Sequence, residues 1–305
     1  MSTTTLLVAS DSSKAFAETG IDPLLDQQWG LTAIGARSVW SMTRGAGVTV
    51  AVIDSGSGPH PDLDANMDIG RTMFGSIDSA GVVDVDADKG HGTHVAGIIA
   101  AVADNGIGGA GVAPQARVLP IRALDSLGAG FSMDVSKAVR FAVDTGAKVI
   151  NLSLGGEIED PGLTAAIQYA VDRNVLVVAA AGNGAANSTP KWPAASDLTL
   201  AVTAVDRDIS VTSFDQRGDY IDLAAPGTSI LSTAKNDYSI QSGTSMAAAF
   251  VSGAAALLFA AQPSITAAQV RDVLQRTATD IGSPGRDTTL ATASSIWLLP
   301  SLNLT

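Results

Sequence analysis

The chain has 305 residues, 46% of them hydrophobic, and 18 basic against 30 acidic side chains give a net charge of −12. That balance argues against nucleic acid or an anionic membrane as the main partner, while the length suffices for one large core. With no cysteine in the chain, disulfide frameworks, thiol catalysis and thiolate metal sites are excluded.

Residues 1 to about 20 are polar and weakly patterned. Leu6-Leu7-Val8-Ala9 is too short for a signal-peptide core and no basic segment precedes it, so a secretion signal is expected to be either already removed or never present. No apolar run is expected to approach the roughly 20 residues of a membrane-spanning helix. Order is expected from Ile21-Asp22-Pro23-Leu24-Leu25 onward, which divides the chain into an arm, 1–21, and one domain, 22–305, without repeat or linker.

Gly47-Val48-Thr49-Val50-Ala51-Val52-Ile53-Asp54-Ser55-Gly56 reads as a continuous apolar strand ending in an aspartate and a glycine turn. Such strands are buried on both faces, as in a parallel sheet covered by helices. Further strands are predicted at Arg117–Arg122, Lys148–Ser153, Val175–Ala181, Leu198–Val205 and Tyr220–Ala224. Helical patterns fall at His91–Val102, Ser132–Thr145, Pro161–Arg173, Thr244–Ala261 and Ala267–Thr277. Strands alternating with helices predict a three-layer α/β fold, a doubly wound and mostly parallel sheet with helices on both faces. In such sheets sites form beyond the carboxyl ends of the strands, where Asp54, Ser153 and Asn183 fall.

Two further stretches carry chemistry. In Lys89-Gly90-His91-Gly92-Thr93-His94-Val95, His91 opens a helix behind a glycine, a position that exposes its ring. In Gly243-Thr244-Ser245-Met246-Ala247, Ser245 sits at the start of a long run of small apolar residues. There the free N–H groups and positive dipole end of the helix favour a developing negative charge. Alone, Ser245 reads as an ordinary helix cap; an aspartate, a histidine and a serine each at an element end read instead as an acid–base–nucleophile set.

The segments around Asp54, His91 and Ser245 resemble the three active-site motifs of the subtilisin-like serine proteases, in that family's Asp, His, Ser order. Gly111-Val112-Ala113-Pro114, Asn151-Leu152-Ser153-Leu154-Gly155-Gly156, Ala180-Ala181-Gly182-Asn183 and Ala225-Pro226-Gly227 extend the resemblance over roughly residues 22 to 280. It implies a serine endopeptidase in which Ser245 is the nucleophile, His91 its base, Asp54 the orienter of His91, and Asn183 the side-chain donor to the oxyanion. It also implies an extended peptide or protein substrate bound by strand addition between Gly128-Ala129-Gly130 and Ser153-Leu154-Gly155-Gly156. Small residues at Gly155, Gly156, Ala181 and Gly182 suggest an open pocket for a large apolar P1 side chain.

A His91–His94 pair lacks the third ligand and glutamate base of a catalytic zinc site, so His94 is expected to be structural; His60 shows no evident chemistry. Asp104-Asn105-Gly106-Ile107-Gly108-Gly109 is similar to the family's calcium loop. By that resemblance Asp22, Asp62, the Asn105 side chain and the carbonyls of Ile107 and Gly109 would surround one structural Ca²⁺; a plain surface turn is the alternative. The family also implies a monomer that is secreted, with an intracellular enzyme left open.

The chain departs from the family at Ala249 and Phe250, where a proline and often a histidine are usual, and after Asp280, where Pro284-Gly285-Arg286-Asp287 and the apolar Ser295-Ile296-Trp297-Leu298-Leu299-Pro300 replace the usual closing turn. The stretch before Asp22 is too short for the family's folding propeptide. The same residues would serve a processing protease or a peptide ligase, and the fold would serve a silent peptide-binding module, although all four catalytic positions are filled. A nucleotide-binding reading fails because Asp54-Ser55-Gly56-Ser57-Gly58 stands where a phosphate-binding glycine loop is required.

Overall fold

A computed structural model describes residues 20–186, 188–280 and 295–296. Most of the expected N-terminal arm, and the tail from Pro284 apart from residues 295–296, lie outside the described residues. In chain order the strands are β1 Thr49–Asp54, β2 Arg71–Phe74, β3 Ile77–Ala80, β4 Arg117–Arg122, β5 Val149–Leu152, β6 Leu176–Ala180, β7 Leu200–Val205, β8 Leu223–Pro226, β9 Ile230–Thr233, β10 Tyr238–Gln241, β11 Thr279–Asp280 and β12 Ser295–Ile296. The helices are α1 Trp29–Ala33, α2 Ala36–Val39, α3 His91–Ala100, α4 Ser132–Asp144, α5 Pro161–Val171, α6 Thr244–Ala261 and α7 Ala267–Arg276.

The main sheet has the order β11-β12-β8-β7-β6-β5-β1-β4-β2-β3. Every pair from β12 to β2 is parallel, with an antiparallel strand at each edge. The chain order reverses at β1, which lies between β4 and β5, so a crevice opens beyond the end of β1. Alternation along β1 builds the two outer layers. Val50 and Val52 turn to one face, with α3, α6 and α7, while Ala51 and Ile53 turn to the other, with α4 and α5. The expected three-layer fold is present.

Helix α6 is the centre of the first layer. Residues Thr244 through Phe259 are all buried; its small alanines let it lie close to the sheet, and Gly253 makes room for Val112, whose Cβ a side chain there would meet at 2.6 Å. Contrary to the sequence expectation, this one helix is long and apolar enough to cross a membrane. Some 89% of it is buried within the protein, so its hydrophobicity is that of a core helix. Ala249 and Phe250 continue it without a break, and Phe250 packs where a side chain on Gly30 would overlap it.

Two hairpins escape the sequence patterns. The β2–β3 pair is an edge ribbon whose second strand is exposed throughout, so no apolar alternation marks it. The β9–β10 pair forms a separate antiparallel sheet packed on α3.

Candidate active site

Asp54 closes β1 and is fully buried. Its Oδ1 accepts the Ser55 backbone N–H at 2.7 Å, and its two oxygens lie 2.8 and 3.0 Å from His91 Nδ1. Since a carboxylate only accepts, Nδ1 carries the proton and Nε2 is left as the basic nitrogen. Two glycines permit this approach. Gly90, at φ +80°, turns the chain into α3, and a side chain on Gly92 would overlap the Gly56 carbonyl oxygen. Burial alone would lower the His91 pKa, but the charge and hydrogen bond of Asp54, with Asp86 and Asp84 nearby, outweigh it and hold the ring up at about 9.

A carboxylate that no motif marked ties β1 to α3. Asp84, 3% exposed, accepts Ser55 Oγ at 2.9 Å, Thr93 Oγ1 at 2.6 Å and the backbone N–H groups of Thr93 and Asp86 at 2.8 and 3.0 Å. In sequence it is one acidic residue among several in a loop, and only its burial distinguishes it.

Ser245 is the second residue of α6. Its hydroxyl donates to the Ser153 carbonyl at 3.4 Å, and among the described residues it makes no hydrogen bond to His91. Such catalytic bonds are commonly long before substrate binds. Behind Ser245 runs a buried polar chain: Ser252 Oγ donates to Asn151 Oδ1, Asn151 Nδ2 to Ser153 Oγ, and Ser153 Oγ to the Ser245 carbonyl, at 2.9, 2.9 and 3.0 Å.

Asn183 follows β6 on an exposed turn. Its Oδ1 accepts the Thr244 backbone N–H at 2.9 Å and the Thr244 hydroxyl at 3.1 Å, and Thr244 Oγ1 in turn accepts the Gly182 N–H at 3.1 Å. Fixing the amide oxygen this way leaves Nδ2 as the donating end, and a side chain on Gly243 would come within 3.2 Å of it. Thr244 therefore orients the amide, a role that sequence reasoning missed.

Two cavities meet along Ser153-Leu154-Gly155. One, about 490 Å³, is bordered by Asp54, His91, Gly128-Ala129-Gly130 and Ser153 through Gly156, with Leu124, Leu127, Ile158 and Trp192 supplying apolar lining. The other, about 210 Å³, holds Ser245, Thr244, Asn183, Gly182, Ala180 and Lys191. Ala181, expected in this wall, turns instead into the core against Val205, Ile221 and Ala224, because side chains alternate along an extended segment. Lys191, which no motif singled out, stands in the pocket for which apolar selectivity was expected.

Of the five expected calcium residues, Asn105, Ile107 and Gly109 lie on one loop, and Asp22 and Asp62 are hydrogen-bonded to it from two other segments. Asp62, fully buried, accepts Asn105 Nδ2 at 2.7 Å, the Gly109 N–H at 3.2 Å and the Tyr238 hydroxyl at 3.3 Å. Burial pushes its pKa up to about 6, against the hydrogen bonds that lower it. Every one of these donors is neutral, so a cation beside Asp62 would offset the cost of its buried charge. Asp22 binds differently: its two oxygens accept the N–H groups of Asp104, Asn105 and Gly106 at 2.7 to 3.0 Å, fastening the arm to the loop. Ile107 donates its N–H to Asn105 Oδ1 at 3.0 Å. Asp62 and the Asn105 amide supply oxygen donors of the type Ca²⁺ takes, while among the described residues no group of three or more His, Cys, Asp or Glu side chains is placed to hold a metal ion.

The remaining histidines are structural. His94 Nε2 lies 3.0 Å from the Ile230 carbonyl and 3.1 Å from that of Ser239, which requires a proton on Nε2; burial lowers its pKa to about 4. His60 Nε2 lies 3.0 Å from the Asp237 carbonyl, and its Nδ1 accepts the Asp62 N–H at 3.1 Å.

Comparison with known proteins places the chain in a family. The subtilase family profile matches residues 45–291. Thermitase of Thermoactinomyces vulgaris is 41% identical over 261 residues, 85% of this chain and 91% of that protein. Subtilisin Savinase of Lederbergia lenta is 39% identical over 257 residues, 84% and 92% of the two chains. Among solved structures, a protease from Pseudoalteromonas arctica superposes with a TM-score of 0.82 at 32% identity, covering 91% of this chain and 98% of its own. The chain belongs to the subtilase family and is a serine-type endopeptidase.

Proposed function

We propose that peptide bonds are cut through an acyl-enzyme formed on Ser245. Ser245 Oγ attacks the scissile carbonyl carbon while its proton passes to His91 Nε2. The carbonyl oxygen becomes an oxyanion that accepts from Asn183 Nδ2 and from the Ser245 N–H at the start of α6. His91 then gives its proton to the leaving amine, the C–N bond breaks, and an ester to Ser245 remains. Water, deprotonated by the same ring, attacks the ester and releases the acid and the free serine. Asp54 keeps Nδ1 protonated throughout and stabilises the imidazolium. The observation that carries this reading is the Asp54–His91 contact, with His91 and Ser245 bordering cavities that share one wall. The peptide would lie extended between Gly128-Ala129-Gly130 and Ser153 through Gly156, pairing with both strands.

A bound Ca²⁺ would supply charge compensation and a clamp on the loop, held by Asp62, Asn105 and the Ile107 and Gly109 carbonyls, with Asp22 anchoring the arm beside it. No catalytic step involves it.

Intact mass after treatment with a fluorophosphonate tests the reading. A single adduct on the parent chain that is absent from Ser245→Ala is the expected result; a folded parent that forms no adduct overturns it.

A further inference from the structure

We propose that Lys191 makes the pocket beside the nucleophile selective for an acidic P1 side chain, glutamate above all. The proposal rests on the Ser245 acyl-enzyme reading, since the residue whose carbonyl Ser245 attacks must place its side chain in the 210 Å³ cavity that holds Ser245 and Asn183. Lys191 is the one charged side chain among the described residues lining that cavity. Its position is built in on both sides. A side chain on Gly155 would meet Lys191 Cβ at 3.2 Å, and one on Gly182 would meet its Cγ at 2.7 Å. The lysine stem therefore occupies the corridor that these two glycines leave open between the walls. The next residue is clamped to the same wall, with Trp192 N donating to Gly156 O and Gly156 N to Trp192 O, each at 2.8 Å.

The Lys191 ammonium lies 2.9 Å from Glu157 Oε1; the lysine side chain is 23% exposed, whereas that of Glu157 is 73% exposed. Glu157 thus binds from the solvent side as a loose counter-ion, of the kind that contributes little by itself. A P1 carboxylate entering from the cleft would replace or share it, in a pocket less open to water than Glu157's position. A P1 lysine or arginine would meet the same ammonium as a like charge, and selectivity arises as much from that repulsion as from the attraction. A P1 phenylalanine can still pack along the lysine methylenes, so apolar substrates remain a baseline instead of the optimum.

Four peptide p-nitroanilides that differ only in P1, as Glu, Gln, Phe or Lys, test the proposal on the full chain and on Lys191→Met, Lys191→Arg and Glu157→Gln. For the parent at low salt, kcat/KM for Glu exceeds that for Gln by about tenfold or more, and the ratio falls as ionic strength screens the pair. Lys191→Met brings the Glu/Gln ratio to about one while a single fluorophosphonate adduct still forms, which shows an intact fold and nucleophile. Lys191→Arg keeps the preference for Glu, and Glu157→Gln increases it by removing the competing carboxylate. A parent ratio of one or below, or a ratio that survives in Lys191→Met, overturns the acidic selectivity. If the parent cleaves none of the four and also takes no phosphonate, the acyl-enzyme reading fails and this proposal fails with it. Labelling together with cleavage that ignores the P1 charge sinks the selectivity alone.

Discussion

Under the proposed mechanism, His91 is the single residue that sets the working range of the enzyme. In that mechanism only its neutral ring takes the Ser245 proton, and Asp54 raises its pKa from the ordinary 6.5 to about 9. The acid limb of the kcat/KM profile is therefore expected above pH 6.5, with activity rising into the alkaline range as the ring loses its proton. The same shift has a sign for stability. The folded ring holds its proton more tightly than the unfolded one, so its contribution is full below pH 6.5 and is lost as the pH rises through about 9. Asp54→Asn removes the charge and leaves burial, so the acid limb moves to lower pH. The turnover falls by roughly 10⁴ as the productive tautomer is lost. A pH–rate series on the two proteins checks both statements; an acid limb that stays in place would show that Asp54 does not control His91.

At the scale of elements, the position of Ser245 depends on how α6 is fastened to β5. Asn151 sits within β5 and Ser252 lies two turns into α6, and their buried contact continues through Ser153 to the Ser245 carbonyl. Ser252→Ala leaves Asn151 Oδ1 buried without its donor, which is expected to cost about 1–3 kcal/mol. The loss should appear as a lower denaturation midpoint with an unchanged denaturant slope, measured on the Ser245→Ala background to prevent self-digestion. A midpoint equal to that of the parent would mean that the chain of hydrogen bonds is not needed to hold the helix. Sequence periodicity located α6 and β5 closely, with α6 matched over Thr244–Ala261 and β5 within one residue of the predicted ends. Their pairing across Asn151 and Ser252 has no signature in the sequence, because the two residues are 101 positions apart and each reads as an ordinary polar residue in an apolar segment.

For the molecule as a whole, the absence of cysteine leaves the N-terminal segment held by noncovalent contacts, and Asp22 fastens it to the 104–109 loop. With Ser245→Ala protein, excess Ca²⁺ is expected to raise Tm over a chelated sample. The gain is about 3 kcal/mol when free ion stands 100-fold above Kd. Asp62→Asn is expected to abolish that increment, because the one fully buried carboxylate of the set loses its charge. Identical melting curves with calcium and with chelator would remove the metal from the account of this fold.

The amino-acid sequence by itself determined the layers and the family. Continuous apolar strands alternating with helices dictate a covered parallel sheet, and the polar ends of those elements, Asp54, His91 and Ser245, mark where a site must open. Local signals suffice there because each depends on a few adjacent residues: a strand end, a glycine before a helix, a turn into a small-residue run. Tertiary structure alone decided what those ends meet. Asp84 becomes the link between β1 and α3 only through burial, Thr244 orients Asn183 only across two elements, and Ala181 faces the core only because of the register of its extended segment. Lys191 reaches the pocket because Gly155 and Gly182, distant in sequence from each other, leave one corridor between them. Side-chain burial and long-range neighbours are properties of packing, and packing is not encoded in any short stretch of the chain.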